Sequence, residues 1–215
     1  MDHQRIKGTI LTILLGVFIA YLPQNWDYIK GDGINMFANT YNIPNDDGII
    51  EKMIEGDIQG IDNSPKKIKI LGTIDQNFKK FILFVREDNH RVRITELRKG
   101  PNEQYKIVMS TETTLPIVTY QSKSGEKRTL YIGGINQDKK ISYVQFQTKD
   151  WTQKFEVKNQ DIFFTSVEIP DSIAEFNDSD FLISYNYGFF DVRDRNITLE
   201  VVSAYKSKWE TESYD

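Results

Sequence analysis

The chain has 215 residues, 27 Lys and Arg against 31 Asp and Glu, and a net charge of −4. It contains no cysteine and two histidines, which excludes disulfides, thiolate nucleophiles, thiolate metal sites and S-acylation, and its overall acidity argues against nucleic acid as a partner. The length suffices for one large or two small domains with cores of their own.

Residues 1–7 read as a short cytoplasmic stub containing His3, Arg5 and Lys7, and the apolar run Gly8 to Leu22 follows without a single charge before Pro23. Fifteen helical residues rise about 22 Å, and counting on to Trp26 brings the length to roughly 28 Å, close to a hydrocarbon core. Basic residues before the run and Asp27 and Asp32 after it orient the N-terminus to the cytoplasm, with Tyr21, Trp26 and Tyr28 suited to the outer interface. The expectation is a single-pass anchor over 8–26, with everything beyond Pro23 extracytoplasmic at the plasma membrane. The rival is a cleaved signal sequence and a secreted product, but the third position before a cut at Ala20 is Phe18 where a small residue is needed. Gly8, Thr12, Gly16 and Ala20 recur every four residues and would line one ridge, where small side chains allow helix backbones to approach in lipid. That ridge makes the bilayer a partner and a helix-mediated homodimer a further expectation.

Residues 27–65 form a connector with turn residues and two helical patterns. Ile34, Phe37, Ala38 and Tyr41 recur at helical spacing; a second helix is expected from Asp46 to Glu55, capped by Asn45 or Asp46, with Ile49, Ile50, Met53 and Ile54 on one side and Gly56 as stop. From Lys67 the period changes to two. Lys67 to Ile70, Phe81 to Arg86, Arg91 to Leu97 and Tyr105 to Thr111 read as an antiparallel meander over 66–112. Ile117 to Gln121, Thr129 to Ile132, Ile141 to Thr148, Lys154 to Lys158, Ile162 to Ile169, Phe181 to Tyr187 and Ile197 to Ser203 read as a sandwich-like module over 115–203. The polar stretch 204–215 reads as a flexible tail. The fold class is therefore mainly β behind an N-terminal transmembrane helix and a short helical connector.

Charge is uneven along this path. Lys66 to Lys99 holds ten basic and four acidic residues, and Asp150 to Asp215 holds six basic and fourteen acidic. The basic segment would suit an anionic partner such as a wall polymer or lipid head groups, but cations spread over several strands more simply read as solvated edges and outward faces; a surface protein is the other partner expected. No cofactor motif is present. Gly133-Gly134 lacks the surroundings of a phosphate loop and reads as a bulge or tight turn. His90 reads as a surface residue in a hairpin turn. Asp171, Glu175, Asp178 and Asp180 gather oxygen ligands in one loop, yet only Asp178-Ser179-Asp180 approaches a calcium-loop spacing, so Asp171, Asp178 and Asp180 are weak metal candidates. Phe181, Ile183, Tyr185 and Tyr187 alternate as one buried strand face, against an exposed platform for sugars.

The ordered segments ILGTIDQNFKKFILFVRED, RVRITELRKGPNEQYKIV, GGINQDKKISYVQF, KFEVKNQDIFFTSVEIP and FFDVRDRNITLEV resemble a group of uncharacterised single-pass membrane-anchored proteins of Firmicutes, over roughly Lys66 to Val201. The matching pieces are turn glycines, strand aromatics and a closing segment from Asp191 through Asn196, so the resemblance implies a strand-rich extracytoplasmic region and no activity. An external protein without disulfides also fits a Gram-positive cell surface. The expected function is a tethered binding or scaffold module without catalysis. A wall-active hydrolase using carboxylates of the acidic half is the alternative, although acids in every loop leave no pair set apart by spacing; a cleaved, secreted interaction protein is the other.

Overall fold

The computed structural model describes residues 41–59, 67–113, 115–148, 151–170, 173 and 186–211. In chain order these form α1 (Asp47–Gln59), β1 (Ile68–Gln76), β2 (Lys79–Arg86), β3 (Val92–Lys99), β4 (Tyr105–Thr113), β5 (Ile117–Ser124), β6 (Lys127–Ile135), a 3-10 turn (Gln137–Lys139), β7 (Tyr143–Gln147), β8 (Thr152–Glu156), β9 (Ile162–Ile169), β10 (Asn186–Phe190) and α2 (Thr198–Thr211). The protein is mainly β, and the strands make three antiparallel sheets: β1-β2-β3-β4, β5-β6-β9 and β10-β7-β8.

Side-chain alternation stacks these sheets. In β2, Ile82 and Phe84 point to a cluster completed by Ile50 and Ile54 of α1, while Phe81 and Leu83 point the other way to Val118 and Tyr120 of β5 and Tyr131 of β6. A strand buried on both faces needs apolar residues at consecutive positions, which is why Phe81 to Phe84 is a continuous apolar run. The middle sheet repeats the device: Tyr131 faces the meander, whereas Leu130 and Ile132 face a cluster with Val144, Phe146, Phe155 and Phe189 of the third sheet. Helix α1 and three sheets are thus layered, and the link at 113–117 joins sheets that share a core rather than separating two bodies.

Several local features follow from close approach. A β-carbon on Gly133 would lie 2.4 Å from Leu83 Cδ1, and one on Gly134 2.5 Å from the Pro116 carbonyl oxygen. Both glycines sit inside regular β6, paired with Val118 and Ile117 of β5. The expected bulge or turn is therefore corrected: here glycine makes room for the facing layer and the neighbouring strand. Helix α1 begins where Asp46 Oδ1 accepts from Ile49 N at 3.0 Å, as the capping pattern predicts.

The C-terminal end departs from expectation. Ile197 to Ser203 does not form a strand, and 204–211 is not a flexible tail; Thr198–Thr211 is helix α2. The physical reason is a cap and a stripe. Asn196 Oδ1 accepts from Thr198 N at 3.0 Å, and Val201 and Tyr205 continue from Ile197 at spacings of four into the buried clusters. Tyr205 is 6% exposed and donates to the His90 carbonyl at 2.7 Å, which holds the helix against the β2–β3 turn.

Among the described residues no helix is long and apolar enough to cross a membrane. The expected anchor with Gly8, Thr12, Gly16 and Ala20, the helical pattern at Ile34 to Ala38, and residues 212–215 lie outside the described residues.

Candidate functional site

The most unusual chemistry lies where the meander meets β5. Val92 and Ile94 of β3, Phe81 and Leu83 of β2, and Val118 and Tyr120 of β5 line this contact, and the next positions on the same faces are Glu96, Lys79 and Ser122. The alternation that builds the apolar core thereby carries a carboxylate into it. Glu96 is 2% exposed. Its Oε1 lies 3.5 Å from Lys79 Nζ and 3.3 Å from Arg98 Nη2, and its Oε2 accepts from the Tyr120 and Ser122 hydroxyls, each at 3.0 Å.

Four donors around one buried carboxylate meet the demand that a desolvated charge be paired and hydrogen-bonded. Lys79 Nζ also donates to Ser122 Oγ at 2.7 Å and to the Lys123 carbonyl at 3.1 Å. That geometry decides what Ser122 can do. A nucleophilic serine gives its proton to a base, whereas the Ser122 hydroxyl points its proton at a carboxylate already filled by three other donors and receives a hydrogen bond from an ammonium. The cluster holds layers together rather than activating an oxygen. Beside it, Tyr131 stacks on Phe81 with centroids 3.7 Å apart and donates to Gln76 Oε1. Burial first, and then the Glu96 charge, pushes the Tyr131 phenol well above its ordinary range.

Lys67, Lys69 and Arg91 of the basic segment are exposed as expected, but half of the segment has a different fate. Lys79, Lys80, Arg86, Arg93 and Arg98 are not solvated edge residues: their side chains are largely buried and lie against Glu96, Asp75, Asp88 and Glu112. Arg86 grips Asp88 with two hydrogen bonds, and Glu112 receives both Arg91 and Arg93. Burial, reinforced by Arg86 and Arg91, lowers Arg93 to about 10.

The end of the fold near α2 offers an open cleft of about 670 Å³, lined by Tyr187, Arg195, Asn196, Thr198, Leu199 and Glu200 among others. Asp191, behind the lining, holds Arg195. Its Oδ1 accepts from Arg193 N at 2.8 Å and Arg195 N at 3.0 Å, and its Oδ2 accepts from Arg195 Nε at 2.7 Å. The backbone hydrogen bond from Arg195 leads the causes that hold this carboxyl below its ordinary range. Asp194 Oδ1 accepts from the Tyr143 hydroxyl at 3.0 Å, and Tyr143 stacks on Phe190. Three other described acids of this half face cations: Glu168 meets Lys127, Asp161 meets Lys139 and Glu200 meets Lys140.

Of the residues singled out in sequence, His90 does sit in the β2–β3 turn, with φ 52°. Tyr187 packs edge-on against Phe189 and tilts toward Phe146, and its half-buried ring also lines the open cleft, whereas Phe189 is fully buried. Phe181, Ile183 and Tyr185 lie outside the described residues, as do His3 and the weak metal candidates Asp171, Asp178 and Asp180 with Glu175. Among the described residues no group of three or more His, Asp or Glu is placed to hold a metal ion. The Glu96 cluster escaped sequence reasoning because Lys79, Glu96 and Arg98 look like the polar half of amphipathic strands; the missed signal is that strands with two apolar faces have no polar half.

Comparison of the chain with protein-family models, with curated proteins and with solved structures finds no match.

Proposed function

We propose that the chain is a membrane-tethered, extracytoplasmic binding or scaffold module of a bacterial cell surface, acting without catalysis. One observation carries this reading: an uncharged run, Gly8 to Leu22, flanked by Arg5 and Lys7 on one side and Asp27 on the other, precedes a layered body free of cysteine. The segment 8–26 holds the chain in the bilayer, and the ridge of Gly8, Thr12, Gly16 and Ala20 pairs two copies. The resemblance to anchored proteins of Firmicutes supports the same arrangement. A surface protein or an anionic wall polymer is the partner class, and the open cleft beside Arg195 and Leu199 is its candidate seat.

Protease treatment of intact cells tests the reading. It should remove the region beyond Pro23 and leave a small N-terminal stub with the membranes. Full-length protein that survives in intact cells and is cut in lysates would place the body inside and overturn the proposal.

A further inference from the structure

The outer edge of β10 is covered at one end only, and its uncovered end opens into the cleft. Beyond Phe190 the chain doubles back beside the strand. Ile197 N donates to the Phe189 carbonyl at 2.8 Å, Asp191 N donates to the Arg195 carbonyl at 3.1 Å, and Phe189 N donates to Thr198 Oγ1 at 2.9 Å. Phe189 therefore turns its N–H and C=O away from β7, toward the returning chain. Alternate residues of a strand present their backbone groups to the same edge, so those of Tyr187 point the same way. The returning chain does not reach them. With Phe190 antiparallel to Asn196, the residue opposite Tyr187 would be Leu199, but α2 begins at Thr198 and carries Leu199 out to 84% exposure. Among the described residues nothing pairs with the Tyr187 N–H or C=O at this edge, and Tyr187, Ile197 and Leu199 line the space beside them.

We infer that this edge takes an extended polypeptide segment, added as a strand in the line that α2 leaves; this rests on the binding-module reading proposed above and not on its membrane anchor. A protein, rather than a wall polymer, is then the occupant of the cleft. The unpaired groups are one donor and one acceptor on a single residue, which one residue of an antiparallel peptide satisfies together, whereas the phosphates of an anionic polymer offer acceptors only. Strand β10 also lacks the guards of the other edges. The outer strands β1, β4, β5, β8 and β9 each carry charge, with Lys69, Lys106, Lys123, Lys154 and Glu168 among the residues that supply it, while Asn186–Phe190 carries none. The peptide residue opposite Tyr187 shares its face of the sheet. Its side chain falls against the half-buried Tyr187 ring and Ile197, which selects an apolar residue at that position.

Panning a random peptide library on phage against the purified full chain in detergent supplies the probes, and amide hydrogen exchange reads where they sit. In the protein alone the Tyr187 amide should exchange much faster than that of Gly188, which is paired with Gln145 of β7. A selected peptide, made synthetically, should slow exchange at Tyr187, and N-methylation of the one peptide amide that meets the Tyr187 carbonyl should weaken binding about tenfold. Failure to select any peptide, or selected peptides that leave Tyr187 exchanging as before, would overturn the inference. So would protection of Tyr187 by poly(glycerol phosphate) alone, which would return the cleft to a polymer within the same binding-module reading, or protection on concentrating the protein by itself, which would give the edge to a second copy.

Discussion

At Glu96 a single side chain decides between two ways of filling an interior. A buried carboxylate stripped of its partners, or cations stripped of their carboxylate, costs more than the pair contributes when intact. Glu96→Ala should therefore lower stability by about 3–5 kcal/mol, read from the midpoint of urea unfolding, because Lys79 and Arg98 are left without their buried counter-charge. Replacing Glu96 with Leu together with Lys79 and Arg98 by Met should recover most of that loss; an equal or greater loss would show that the cluster's value is more than charge compensation. Gly133 poses the opposite problem. Gly133→Ala meets Leu83 across the layers and should cost about 1–3 kcal/mol, as overpacking does. In the Leu83→Ala background the same change should cost much less, and additive losses would mean that the two layers do not meet there.

Tyr205 gives the pH dependence. Burial pushes its phenol up to about 12, so the folded state keeps a proton that the unfolded chain gives up near its ordinary value of about 10. The stabilisation is complete below the unfolded value and is lost as pH rises through that window. Tyr205→Phe should flatten the fall in stability between those limits, measured by thermal unfolding at stepped pH; an unchanged slope would show that Tyr205 is not what titrates.

Among the elements, the strands were legible because side chains facing two environments must alternate, and the turns announced themselves through Asn77, His90 and Gly125, each at positive φ. Helix α2 was not legible as a helix. Ile197, Val201 and Val202 are β-branched, and a short run of them satisfies a strand pattern and a helical stripe equally well. The deciding signal was Asn196 two residues ahead of Thr198, a cap that a strand does not need. Asn196→Ala should cost about 1 kcal/mol and speed amide exchange in the first turn of α2. Unaltered protection there would mean that Tyr205 and Val201 alone fix the helix. The candidate site was less legible than the fold, because alternation assigns a residue to a face but does not say that the face is covered by a second sheet.

For the whole molecule, the shared clusters make cooperativity the expectation: the meander and the sheets after residue 113 should unfold in one transition, with fluorescence and circular dichroism coincident. Chelator should leave that transition where it is, and a large fall in melting temperature would bring Asp171, Asp178 and Asp180 back as ligands. The central claim is one of placement, and the absence of cysteine makes it directly measurable. Leu199, 84% exposed beside the open cleft, can be replaced by Cys and treated in intact cells with a maleimide that does not cross membranes. Labelling of Leu199→Cys in intact cells, with Gln4→Cys labelled only after permeabilisation, is the predicted result; labelling of Leu199→Cys only after permeabilisation would contradict the account.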